Sequence, residues 1–113
     1  MVVLKDFKTA FFSLSAAELK KYNYQKGDTE GVVNYALSIE GIRFAAFFVE
    51  RDGIIKTSFR SKGSFDVNQF SRKNFNGGGH ANAAGGMSEL SMEKTLLKFV
   101  DLLPEYKKQL NSK

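Results

Sequence analysis

At 113 residues, with 42% hydrophobic residues and eleven phenylalanines, the chain is long enough for one domain with a real core and too short for two. It has no cysteine, which excludes disulfides and thiolate metal sites. No apolar run approaches transmembrane length, and Met1-Val2-Val3-Leu4-Lys5 is interrupted too soon for a signal peptide, so a soluble, cytoplasmic protein is expected. The formal net charge of +5 favours an anionic partner such as a nucleotide, a nucleic acid or a membrane surface. That charge is uneven. Asp28, Glu30 and Glu40 make the early middle acidic, whereas Arg51, Lys56, Arg60, Lys62, Arg72 and Lys73 stand against only Asp52 and Asp66. Lys107, Lys108 and Lys113 form a terminal cluster suited to solvating a helix end.

In chain order, Lys5 to Leu14 reads as a strand carrying Phe7, Phe11 and Phe12. Ser15-Ala16-Ala17-Glu18 has the spacing of a capping box and opens a short helix ending near Tyr22. After a polar turn over Asn23 to Gly27, Asp28 or Thr29 caps a second helix with Val32, Tyr35, Ala36 and Ile39 on one side. Ile42 to Glu50 is apolar on both parities, the pattern of a central strand covered on both faces. Arg51-Asp52-Gly53 is a hairpin turn. Its partner strand, Ile54 to Lys62, sets Thr57 and Phe59 on one face and Lys56, Ser58, Arg60 and Lys62 on the other. Asp66 caps a third helix, with Gln69 three residues on and Val67 and Phe70 facing the core. Gly86 to Leu90 suits a short edge strand, and Ser91 caps a last helix in which Met92, Leu96, Phe99, Val100 and Leu103 recur at helical steps. Pro104 either ends that helix or starts a terminal one carrying Tyr106 and Leu110. The order predicts an α/β (α+β) fold, a small mixed sheet with helices packed against it.

One stretch stands apart, Asn76-Gly77-Gly78-Gly79-His80-Ala81-Asn82-Ala83-Ala84-Gly85-Gly86, which holds five glycines and the single histidine. Three successive glycines let another group approach the backbone closely. With a turn of helix over His80 to Ala84, the glycines would gather unpaired N–H groups into an anion-binding concavity. His80 could then donate to a phosphate or transfer a proton. Arg60 is the best single side chain for gripping an anion, because its fork matches phosphate bidentately. Lys62 and Lys56 extend its face, Ser58 offers a hydroxyl, and Asn82 can meet a base edge, a ribose or a neighbouring carbonyl. Each has a plainer use, as a solvated strand face or a local cap. Tyr22 and Tyr24 could stack on a base but suit the surface better. With one histidine and no cysteine, a self-contained metal site is not expected. The inventory binds phosphate more convincingly than it cleaves it.

Gly77 to Gly85, preceded by Ile55 to Gly63 and Phe65-Asp66-Val67-Asn68, resembles the C-terminal associated domain of DHH-family phosphoesterases. Gly27 to Asn34 is similar to the bacterial oligoribonuclease and pAp phosphatase branch, so the resemblance covers nearly the whole chain. It implies a DHH-associated C-terminal domain fold over residues 1–113, excised from a longer enzyme. It also implies a separate N-terminal domain bearing the Asp-His-His motif and two manganese ions, with no cofactor in this chain, which lacks that motif. Arg60 and Gly77, Gly78, Gly79 and His80 would bind the phosphate end of a short RNA or DNA oligonucleotide or of pAp. His80 would reach the scissile phosphate as an accessory catalytic group in the full enzyme, and Ser58, Lys62 and Asn82 would be second contacts. No membrane partner is implied. The competing expectations are a freestanding single-strand-binding module built on the Arg51 to Lys73 block and a small enzyme in its own right.

Overall fold

Phe44, Ala46 and Phe48 alternate with Ala45, Phe47 and Val49 along β3, Phe44–Arg51, and all six are buried. A strand apolar on both parities needs cover on both faces, and this sets the architecture. In the computed structural model, which describes residues 1–25 and 27–112, the other strands are β1 (Val2–Leu4), β2 (Thr9–Leu14), β4 (Ile54–Ser61), β5 (Gly78–His80) and β6 (Ala83–Ser88). They form one six-stranded mixed sheet in the order β1-β2-β3-β4-β6-β5. Only the β2–β3 pair is parallel. The crossover between them carries α1 (Ala16–Lys21) and α2 (Asp28–Ser38), as a parallel pair requires.

α1 and α2 cover one face, where Val33, Ala36 and Leu19 pack on Ala45, Phe47 and Val49. α3 (Val67–Asn74) and α4 (Met92–Asn111) cover the other, where Val67, Phe70, Phe99, Leu103, Tyr106 and Leu110 pack on Phe44, Ala46, Phe48 and Phe59. Phe99 is the hub of this side, with ring centroids 5.1 Å from Phe48 and 5.5 Å from Phe44. β3 and β4 turn on Asp52 and Gly53 with φ of 54° and 77°. Positive φ at both central residues is the turn whose twist suits a two-residue hairpin.

Several local signals act as the sequence predicts. Ser15 and Glu18 exchange the two hydrogen bonds of a capping box, and these hold the Glu18 carboxyl below its ordinary pKa. Asp66 accepts from the Gln69 N–H at 3.0 Å, and Ser91 accepts from the Lys94 N–H at 3.2 Å.

Other expectations need correction. The first strand does not begin at Lys5: Lys5–Phe7 is a 3₁₀ turn closed by Lys8 at φ 50°, and β2 starts at Thr9. α2 is capped at Gly27 rather than by a side chain, and Asp28 accepts from the Gln25 N–H instead. Its buried residues are Val33 and Ala36, with Val32 and Ile39 half-buried against the same cluster; of the predicted stripe Tyr35 alone is exposed. The polar turn includes Lys26, and the terminal basic cluster includes Lys113; both lie outside the described residues. Pro104 neither ends nor starts a helix, because α4 runs through it to Asn111. Phe99, Leu103, Tyr106 and Leu110 are buried on one stripe across the proline, so core packing holds both halves in line against the lost hydrogen bond.

The largest difference is in the glycine stretch. His80 to Ala84 is not a helical turn. β5 and β6 form an antiparallel hairpin across it, and β6, not an edge strand, lies between β4 and β5. The glycines therefore supply a flat edge strand rather than a helix N-terminus, and the predicted helical anion cradle is absent.

Candidate functional site

β4 carries the site because its alternation is anchored on one side by buried Ile55, Thr57, Phe59 and Ser61. That leaves Lys56, Ser58 and Arg60 on the α1/α2 side of the sheet. Register extends this face across two further strands. Arg60 pairs with Ala83, which pairs with His80; Ser58 pairs with Gly85, which pairs with Gly78. Direct cross-strand partners share a face. Arg60 and His80 therefore rise from the same row, two strand spacings or about 10 Å apart at the backbone, with alanine between them and Ser58 and Gly85 beside them. α1 and α2 pack over β2, β3 and part of β4, whereas α3 packs on β5 and β6 from the opposite face. The result is a shallow floor nearly free of side chains, bordered by a guanidinium and an imidazole.

Arg60 is not idle. Its Nη1 donates to the Phe59 carbonyl at 3.0 Å and the Ala84 carbonyl at 3.5 Å, and its Nη2 pairs with the Glu30 carboxylate from the first turn of α2. Arg60 is 20% exposed and Glu30 is 60% exposed, so the guanidinium is braced from within while its carboxylate partner faces water. The His80 ring is exposed and makes no hydrogen bond among the described residues. Ser58 is half-buried and lines an adjoining cleft of about 420 Å³ with Tyr24, Thr29, Arg51 and Lys56. Tyr24 is not a surface ring: it packs edge-on against Phe47 at 5.8 Å, and its hydroxyl is bonded to Thr29.

The structure separates the remaining candidates. Lys62 lies beyond the end of β4, exposed, so strand alternation does not set its side chain beside Arg60. The Asn82 amide nitrogen donates to Ser61 O at 3.2 Å, Ser61 Oγ at 2.9 Å and Gly63 O at 3.2 Å. This ties the β5–β6 turn to the end of β4. Asn82→Ala is therefore expected to lower stability by roughly 1–2 kcal/mol, the usual cost of leaving partly buried acceptors unpaired; urea unfolding midpoints measure it. The basic block does not form one surface either. Lys56 and Arg60 lie on the α1/α2 side, whereas Arg72 and Lys73 ride on α3, with Lys73 paired to Glu105 at 3.0 Å.

Glu30, Asn68 and Ser71 are residues that sequence reasoning did not single out for the site. Asn68 Oδ1 accepts from the Gly79 N–H at 2.9 Å, and Ser71 Oγ donates to the Gly85 carbonyl at 2.6 Å. One helix face thus fixes both strands of the glycine hairpin. The available signal was their spacing: Asn68, Ser71 and Arg72 fall one turn apart on α3, beside the apolar pair Val67 and Phe70. Glu30 carried only a favourable charge at a helix start. Among the described residues no three His, Asp or Glu side chains cluster as metal ligands.

A mixed sheet with a glycine hairpin, an arginine strand and helices on both faces is the fold of a DHH-associated C-terminal domain. The chain belongs to the DHHA1 domain family, which it matches over residues 8–105. It is 42% identical over 84 residues to the bifunctional oligoribonuclease and PAP phosphatase NrnA of Bacillus subtilis (strain 168), covering 74% of this chain and 26% of that protein. An exopolyphosphatase-related protein from Bacteroides fragilis superposes with a TM-score of 0.92 at 42% identity, over 98% of this chain and 33% of the other. The C-Ala domain of Aquifex aeolicus alanyl-tRNA synthetase shares the fold alone, with a TM-score of 0.61 at 11% identity over 92% of this chain and 91% of that one. The chain thus spans about a quarter to a third of the length of the first two relatives. Among the described residues no helix is long and apolar enough to cross a membrane.

Proposed function

We propose that this domain is the substrate-binding half of a DHH phosphoesterase acting on short oligonucleotides or on 3′-phosphoadenosine 5′-phosphate. The observation that carries the reading is the Arg60–Ala83–His80 row beside the Ser58–Gly85 pair. A phosphate resting on the glycine floor meets a guanidinium and an imidazole without steric competition from other side chains. Arg60 neutralises and orients it, His80 donates a hydrogen bond from the opposite border, and Ser58 supplies a hydroxyl. The hydrolytic step and its Mn²⁺ ions are assigned to a separate N-terminal DHH domain of the same polypeptide. A likeness to NrnA over most of the chain supports the substrate class.

Calorimetric titration with pAp and short oligoribonucleotides tests this. Arg60→Ala is expected to weaken binding about tenfold or more, because a charge-assisted contact is lost. Binding unchanged by that substitution overturns the assignment. Glu30→Gln is expected to act in the opposite direction, tightening binding about two- to fivefold, since an exposed ion pair competing for Arg60 is removed.

A further inference from the structure

Arg72 occupies the other side of the glycine hairpin. Its Nε donates to Asn68 Oδ1 at 3.0 Å, the same oxygen that receives the Gly79 N–H. A Cβ added to Gly78 would lie 3.2 Å from Arg72 Nε and 3.4 Å from Arg72 Cγ. The arginine side chain therefore runs directly across the Gly78 backbone, and any side chain at position 78 would crowd it. Its two terminal nitrogens make no hydrogen bond or ion pair among the described residues. The neighbouring cations are spent differently: Lys73 pairs with Glu105, and Lys98 donates to the Asn74 carbonyl. β5 is the edge of the sheet, so this guanidinium stands at the rim of the same glycine strand whose register partners lead to Arg60.

We propose that Arg72, braced by Asn68, forms a second anion subsite at the β5 edge and takes a second, non-reacting phosphate of a nucleotide strand. The inference rests on the reading of Arg60 and His80 as the contacts for the first phosphate. A tethered Nε with free terminal nitrogens is suited to the task. The head-group is already oriented, so less rotamer freedom is lost when it binds, and its fork accepts a phosphodiester as readily as a terminal phosphate. The glycines let a sugar–phosphate backbone cross the edge strand close to the main chain. Together the two arginines favour ligands with two phosphates over those with one.

The experiment follows the side-chain Nε–H resonances of Arg60 and Arg72 by NMR in the full chain, titrated with AMP and with the 5′-phosphorylated trinucleotide pApApA. AMP is expected to shift Arg60 alone, and pApApA to shift both. Arg72→Gln is expected to weaken pApApA about three- to tenfold, to leave AMP affinity unchanged, and to lower the salt slope for pApApA by about 0.7, as for one lost single-strand phosphate contact. An Arg72 resonance that no ligand moves, or an Arg72→Gln loss equal for AMP and pApApA, overturns the second subsite. The reading of the first subsite fails separately, by an Arg60 resonance unmoved by AMP. Asn68→Ala serves as the positioning control: it is expected to broaden or move the Arg72 resonance before any ligand is added.

Discussion

Gly77→Ala is expected to destabilise the domain by about 3–5 kcal/mol, as overpacking and a broken buried hydrogen bond add. An alanine Cβ there would fall on the Gly85 carbonyl oxygen, with Gly86 Cα and Ser71 Oγ each at 2.5 Å. None of these can retreat cheaply. Gly85 O and Gly86 belong to β6, which is paired to β4, and Ser71 is fully buried with its hydroxyl donated to that same carbonyl. The substitution forces β5 away from β6 or α3 away from both, and either movement dismantles the floor between Arg60 and His80. Urea unfolding reads the effect as a lowered midpoint, and thermal unfolding as a fall of roughly 4–8 °C per kcal/mol for a domain near this size. Gly31→Ala is the contrasting control. A Cβ there meets nothing within 4 Å and the site is inside α2, so a gain of about 0.5–1 kcal/mol is expected. Equal losses at both positions would count against the close-approach account of Gly77.

Phe59→Ala is expected to cost about 3–5 kcal/mol, the range for truncating a buried aromatic. Phe59 is fully buried, with ring centroids 5.2 Å from Phe70, 5.3 Å from Phe75 and 5.9 Å from Phe44. The functional consequence follows from its place in the chain. Phe59 lies between Ser58 and Arg60, and its insertion between β3 and α3 determines the face on which those two emerge. Loss of the ring should therefore weaken ligand binding as well as stability, and a Phe59→Leu variant, which refills most of the volume, should restore both together. Binding that survives while stability falls by the full amount would show that the strand keeps its parity without this anchor.

Much of the fold is legible in single residue patterns. The doubly apolar run of β3 could only be a central strand, and Asp52-Gly53 between two apolar runs could only turn tightly. The capping residues Ser15, Asp66 and Ser91 act through partners three positions away, which a linear reading captures. Pro104 was not decidable in that way. Whether a helix continues through a proline depends on whether residues on both sides share one buried stripe, and that stripe is defined by β3 and β4, not by α4 itself.

For the site, the residue types alone define the chemistry available: an arginine on the polar parity of a strand and a histidine next to glycines. They do not determine how these meet. The glycines are compatible with a helix N-terminus and with a flat hairpin alike, because a residue without a side chain carries no periodicity. The choice fell to the tertiary structure, where pairing of β6 with β4 and the Asn68 and Ser71 side chains of α3 hold the stretch as two strands. That choice moved the proposed anion site from a cradle of backbone N–H groups to an open sheet face. It also brought Glu30 onto Arg60 and laid Arg72 across Gly78, contacts between residues 30 and 6 positions apart in the chain that no local pattern encodes.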